Sequence, residues 1–191
     1  AETCPHYLSL AAEDIADGAT EFKCAPPIRE KANQEQLWKA LKNEAIIQVV
    51  TDHSPSTVAL KCAGSGDFSK AWGGISSLQL GLAVVWTEGK KRGASVADIA
   101  KWMFEATAKL VGLASRKGSI RLGFDADFCV WDPNGELVVD AARLQHKNKI
   151  TPYQNKKLFG VVRATFLRGE KIYDAGAFAP RALGRHLCSS M

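Results

Sequence analysis

The chain has 191 residues, 46% hydrophobic and 24% charged, with 25 Lys and Arg against 20 Asp and Glu for a formal net charge of +5. That is enough apolar material to bury a core, and no stretch approaches the ~18 uninterrupted apolar residues of a membrane span. The basic residues are scattered except for EGKKRG at 88–93, read as a solvated helix end, which argues against a nucleic-acid partner.

The elements follow in chain order. AETC ends a strand and AAEDIADG is a short helix closed by Gly18. EFKCAPP is a short strand halted by Pro26 and Pro27, which cannot continue a ladder. REKANQEQLWKALKNEA places Leu37, Trp38 and Leu41 on one face at helical spacing. IIQVV is a continuous β-branched run of the kind buried on both faces. A helix begins near Gly74 and carries Leu78, Leu80, Leu82, Val85 and Trp86; another starts at Ser95, where SVAD reads as a capping box, and ends near Gly112. Strand and helix alternating in this rhythm predict parallel α/β structure.

The character changes near Gly118. GSIRLGFDADF is read as a hairpin joining two parts, DPNG at 132–135 as a hairpin turn, and RGE as the turn within GVVRATFLRGEKIYD at 160–174. These runs predict a small β subdomain. The tail from Gly176 is Ala-rich and expected to be irregular, packed on a neighbour or mobile. Residues 1–117 and 118–191 are therefore expected to be two parts.

Five cysteines (Cys4, Cys24, Cys62, Cys129 and Cys188) make an odd number with no Cys-x-x-Cys pair. The pattern argues against a disulfide framework and a thiolate zinc site, and for reduced thiols in an intracellular compartment. The cytoplasm is the expected location, with a peroxisome or mitochondrion as alternatives, and no signal peptide is visible.

Two stretches place ligand-capable groups at strand ends: His6 after AETCP, and Asp52 and His53 after IIQVVT. In a β/α barrel the C-terminal ends of the strands carry the active site. A buried carboxylate there is costly unless a cation or hydrogen bonds compensate it, and a divalent metal would do so while acidifying a bound water. The alternatives are that Asp52 caps the following turn and that His6 is a satisfied core histidine.

ETCPHYL, KCAPPIRE, TDHSP, KAWGGISSLQ and GSIRLGFDADFCVWD stand in an order that resembles the allantoinases, cyclic amidohydrolases related to dihydropyrimidinases, hydantoinases and dihydroorotases. The late stretch TPYQNKKLFGVVRATFLRGEKIYD is similar to the closing β segment of that family. The resemblance implies an α/β fold made of the last strands and helices of a TIM-type (β/α)8 barrel, beginning at the sixth strand, with a small β-sandwich beside it. Such barrels take about 250 residues, so the chain is expected to be a C-terminal part, inactive alone.

The resemblance also implies two zinc ions, one held by His6 and the other by Asp52. Asp52 would take a proton from the attacking oxygen and pass it to the leaving ring nitrogen. The remaining ligands, a His-x-His pair, a carboxylated lysine and another histidine, match no residue here, and His146 and His186 match no ligand of the family. Ala25 and Gly73 would bind the cyclic amide through main-chain groups, Ala25 standing where relatives often have Ser and Gly73 where dihydropyrimidinases have Asn; a tight proline turn is the alternative role for the Ala25 stretch. His53 would orient Asp52 or the oxyanion, or make a plain structural hydrogen bond. The implied function is hydrolysis of allantoin to allantoate, with a small-molecule substrate and a homo-oligomer, a tetramer in relatives. The alternatives are a dihydropyrimidinase or hydantoinase, and a non-catalytic dihydropyrimidinase-like scaffold.

Overall fold

A computed structural model describes residues 1–187, so Cys188 lies outside the described residues. Strand β1 (Glu2–Thr3) runs parallel to β2 (Gln48–Val49), pairing Glu2 with Gln48 and Thr3 with Val49. The same layer is extended by a parallel bridge between His53 and Ile75. The expected parallel arrangement is present, and it is shorter than the sequence suggests. IIQVV contributes only two strand residues; Ile47 is 46% exposed, so this run is not a strand buried on both faces along its length.

The residues after β1 depart most from expectation. Pro5 stands at the start of helix α1 (Pro5–Ser9), where its missing N–H would have had no partner and its fixed φ suits the turn. His6 is therefore a helical residue just beyond a strand end. AAEDIADG forms only a 3-10 turn at Ala12–Asp14, and EFKCAPP forms a 3-10 turn at Thr20–Phe22 followed by irregular chain rather than a strand.

Helix α2 (Lys31–Lys42) buries Gln34, Trp38 and Leu41. Two of these side chains also bond the end of α1 and the residue beyond it: Trp38 Nε1 donates to the Leu8 carbonyl at 3.0 Å and Gln34 Nε2 to the Leu10 carbonyl at 2.9 Å. Burial of the indole thus costs no unpaired N–H. The next helix starts later than the sequence implied. Leu78–Leu80 is a 3-10 turn with Leu78 exposed, and α3 spans Gly81–Lys91. Gly81 allows the close approach to the strand end, since a Cβ there would lie 2.7 Å from Thr51 Cγ2.

Helix α3 is buried on most of its surface and separates two apolar clusters. Val84 packs with Ile75, Leu80, Val139, Leu144, Tyr153 and Leu158. Val85 and Trp86 pack with Leu8, Trp38, Leu41, Val49, Ile99 and Trp102. A helix apolar on nearly every face belongs at such a centre.

Ser95 makes the predicted capping box: its hydroxyl accepts from Asp98 N at 3.1 Å and the Asp98 carboxylate accepts from Ser95 N at 2.7 Å. The helix it opens runs as α4 (Val96–Ala100), a π turn over Lys101–Glu105, and α5 (Ala106–Leu110), with Gly112 just beyond at φ 74°.

No strand lies within 118–127, so GSIRLGFDADF is not a hairpin. It is tied by charge instead, with Arg116 and Lys117 both paired to Asp125 at 2.9 Å. Strand β3 (Phe128–Val138) pairs antiparallel with β4 (Lys157–Leu167), followed by β5 (Glu170–Asp174) and β6 (Ala177–Phe178) in sheet order β3-β4-β5-β6. DPNG does not turn the chain back. It forms an irregularity inside β3, where the register shifts between Asp132 and Glu136. RGE does form the predicted turn, with Arg168 and Gly169 at φ 50° and 84° joining β4 to β5. The tail is less irregular than expected at its start, since β6 pairs with β5.

Candidate metal and substrate site

Parallel β1 and β2 bring the residues that follow them to one place. Cys4 and His6 stand after β1, and Asp52 after β2. One ligand atom from each lies within 4.8 Å of those of the other two. His6 is 1% exposed, and neither of its ring nitrogens has a hydrogen-bond partner. An imidazole buried with both nitrogens unpaired forfeits about 1–3 kcal/mol for each unsatisfied group. Burial also pulls its pKa down to about 4, so the ring is neutral at pH 7, the state in which it can ligate a metal.

Asp52 is exposed and sits at φ 44°, the left-handed region that costs most residues energy and that Asp tolerates better. The backbone there breaks from the strand and turns the carboxylate to the Cys4–His6 side. The Cys4 thiol is pushed up to about 12 by burial, then by the negative charges of Asp52 and Glu2. Its signal in the sequence is its place in ETCPHYL, two residues before His6 and after a strand.

His53 follows Asp52 at this strand end and is tied to a different segment. Its Nδ1 accepts the main-chain N–H groups of Ser77 at 3.0 Å and Leu78 at 3.1 Å, which places its ring proton on Nε2. These bonds, with Ser77 Oγ donating to the Thr51 carbonyl at 3.2 Å, fasten the strand end to the start of the following turn. His146 comes from the segment between β3 and β4, and its ring centroid lies 5.4 Å from that of His53. The approach is fixed by Gln145 N donating to Gln79 Oε1 at 2.8 Å and by Thr151 Oγ1 donating to the Ser76 carbonyl at 2.7 Å. Burial holds both imidazoles below their usual range, with the neighbouring His146 adding to the effect at His53. A histidine 93 positions away in sequence gives no local sign of such a contact, so only the fold reveals it.

Ala25 and Gly73 are brought together from separate loops. A Cβ on Gly73 would lie 3.6 Å from both the N and the Cβ of Ala25. The Ala25 loop is anchored by Gly74 N donating to the Lys23 carbonyl at 2.9 Å and by Tyr7 Oη donating to the Pro26 carbonyl at 2.8 Å. Tyr7 follows His6 on α1, and its ring meets the imidazole edge-on with centroids 4.2 Å apart.

Residues 18–172 match the model of the amidohydrolase family. The chain belongs to that family. Among curated relatives, this amidohydrolase chain is 57% identical over 177 residues to the allantoinase of Streptomyces avermitilis, covering 93% of this chain and 39% of the relative. It is 44% identical over 185 residues to the allantoinase of Arabidopsis thaliana, covering 96% of this chain and 36% of the relative. Among solved structures it resembles the L-hydantoinase (dihydropyrimidinase) of Arthrobacter aurescens, with a TM-score of 0.88 at 30% identity, covering 93% of this chain and 40% of that one. The D-hydantoinase of Bacillus sp. AR9 gives 0.85 at 32% identity with the same coverage. The chain thus spans about 40% of the length of the relatives it matches. Amidohydrolases of this family are metal-dependent, and Cys4, His6 and Asp52 are the group of described residues that could hold an ion. No helix among the described residues is long and apolar enough to cross a membrane.

Proposed function

We propose that this chain is the C-terminal part of an allantoinase, which hydrolyses the cyclic amide of allantoin to allantoate. In this reading residues 1–117 are the last strands and helices of a (β/α)8 barrel, and 118–191 are a small β subdomain and tail. The observation that carries it is His6, buried with both ring nitrogens unpaired and within 4.8 Å of an Asp52 carboxylate oxygen. The substrate class rests on relatives named allantoinase at 44–57% identity. Gly73, where dihydropyrimidinases have Asn, favours the same branch.

The donor set fits a metal. An unpaired neutral imidazole beside a carboxylate suits zinc, and of the two ions expected His6 would hold one and Asp52 the other. Bound zinc would polarise the ring carbonyl and acidify a water. The chain's own residues supply the rest. Asp52 takes a proton from the attacking water and holds it on its carboxylate. It then delivers that proton to the ring nitrogen as the C–N bond breaks, acting as base and then acid. Main-chain N–H and C=O groups at Ala25 and Gly73 hold the ring amide in place. His53, its Nδ1 engaged by the main chain, orients the adjacent Asp52.

The test is allantoate release by the complete zinc-loaded enzyme, with dihydrouracil run beside it. Allantoin turnover well above that of dihydrouracil is expected; the reverse preference would move the protein to the dihydropyrimidinase type. The 191-residue chain alone, with zinc supplied, is expected to give no turnover, because two proposed ligands do not fix a binuclear site. Stoichiometric zinc with turnover in that chain would sink the partial-barrel reading.

A further inference from the structure

Lys61 is a buried cation that the chemistry above leaves unused. The residue is 3% exposed, and its ammonium donates to the Lys23 carbonyl at 2.8 Å and to the Gly74 carbonyl. Gly74 N itself donates to that same Lys23 carbonyl at 2.9 Å, so the lysine closes a small ring of bonds between two loops. Burial pulls its pKa down to about 8, against the opposing pull of Cys24 and Glu21. An apolar side chain would fill such a position without that desolvation cost.

The two bonded carbonyls are not arbitrary positions. Lys23 lies two residues before Ala25, and Gly74 immediately follows Gly73. The far end of the first loop is already held by the Tyr7 hydroxyl, and by the Cys24 thiol donating to the Pro26 carbonyl at 3.1 Å. Lys61 fixes the near end. Two carbonyl oxygens aimed at one point repel each other, and an ammonium with three donors and no acceptor is the side chain that satisfies both at once.

We infer that Lys61 is a positioning residue for substrate. It clamps the Lys23 and Gly74 carbonyls so that the main-chain groups of Ala25 and Gly73 meet one cyclic amide at a set spacing. The inference rests on the ring-binding role proposed for those two residues, and it adds a residue whose own atoms need not touch the ring.

The experiment compares the complete zinc-loaded enzyme with Lys61→Met and Lys61→Gln, measuring KM, kcat, zinc content and amide exchange. Lys61→Met is expected to raise KM for allantoin about tenfold or more, with kcat within about threefold and zinc content unchanged. Lys61→Gln, too short to reach both carbonyls, should fall between. Amide exchange at 23–25 and 72–75 should quicken in both variants while that at 48–51 stays as in the wild type, since the strand pair does not involve the lysine. An unchanged KM in folded Lys61→Met, or a fall in kcat alone, overturns the inference. Should Lys61→Met fail to fold, Lys61→Gln decides by the same readouts. If the wild type turns over dihydrouracil and not allantoin, the substrate assignment fails and the lysine comparison is read on that ring. If it turns over neither, the proposed function fails, and unchanged exchange at the two loops would overturn the clamp by itself.

Discussion

Two adjacent glycines that look equivalent in AWGGI should respond unequally to the same methyl group. A Cβ on Gly74 would stand 2.6 Å from Ser54 Cβ, 2.7 Å from the Ser54 carbonyl oxygen and 3.0 Å from Trp72 Nε1. The first two atoms cannot swing away as a flexible side-chain end would. Ser54 is held in place by its N–H donating to the Ile75 carbonyl at 3.0 Å, beside the His53–Ile75 bridge. Gly74→Ala must therefore push apart the backbone segments that carry His53 and Ile75. Overpacking of this kind costs about 1–3 kcal/mol. Gly73→Ala meets nothing closer than 3.6 Å, an ordinary contact, and should stay within about 0.5 kcal/mol of the wild type. With a urea slope of about 2 kcal/mol/M, Gly74→Ala should lower the unfolding midpoint by about 0.5–1.5 M and Gly73→Ala by no more than about 0.25 M. Tryptophan fluorescence is a fitting assay because Trp72 lines the perturbed space. Equal midpoints for the two variants would refute the claim that backbone closeness at Ser54 fixes Gly74.

In the complete enzyme, Asp52→Asn should keep the fold and zinc-independent stability while losing about 100-fold or more in kcat, since an amide cannot carry the proton; near-normal turnover would remove Asp52 from that role. In metal-free protein, His6 resists protonation down to about pH 4, whereas an unfolded chain takes up that proton near 6.5. The unfolded state binds more protons across that window, so stability is intact above pH 6.5 and is lost as pH falls towards 4, by on the order of 3 kcal/mol. Urea midpoints in a chelator should show this slope in the wild type and not in His6→Gln; parallel slopes would place the cause elsewhere. Trp86 Nε1 donates to the Pro133 carbonyl at 2.8 Å, so Trp86→Phe should cost about 1–3 kcal/mol in thermal unfolding by leaving that carbonyl unpaired. No change would mean that water replaces the indole there.

The features legible in the sequence were those whose cause is local. Ser95 and Asp98 satisfy each other's backbone groups within one turn, and Trp38 and Leu41 share a helix face by spacing alone. Arg168 and Gly169 carry the positive φ values that a two-residue turn needs. DPNG misled because its local preference lost to the partner strand. Asp132 accepts from Asn134 N at 3.0 Å and pairs with Arg163 on β4 at 3.1 Å, and the chain continues in the same direction past a bulge. The conformation of 4–6 could not be read locally, since a proline after a strand marks either a stop or a helix start, and only packing decides between them. At the site, His6 and Asp52 could be paired because both follow strands of one parallel layer. Lys61 could not be read in advance, because its partners lie 38 and 13 positions away and are main-chain atoms without side-chain identity.

The Thr87 hydroxyl donates to the Ala83 carbonyl at 2.6 Å within α3 and accepts the N–H of Phe159 on β4 at 2.8 Å. Trp86 beside it meets Trp131 of β3 edge-on with ring centroids 5.2 Å apart. One turn of helix is thereby stitched to two strands of the later sheet. Anyone recombining this chain with a homologue by cutting near residue 117 would separate α3 from the sheet that completes its packing. In such a hybrid the Thr87 hydroxyl would keep a main-chain partner, while Trp86 would face whatever side chain the homologue carries in place of Trp131. A crossover placed before residue 74 would move α3, its threonine and the sheet together, so the natural unit of exchange begins well upstream of the place where the sequence changes character.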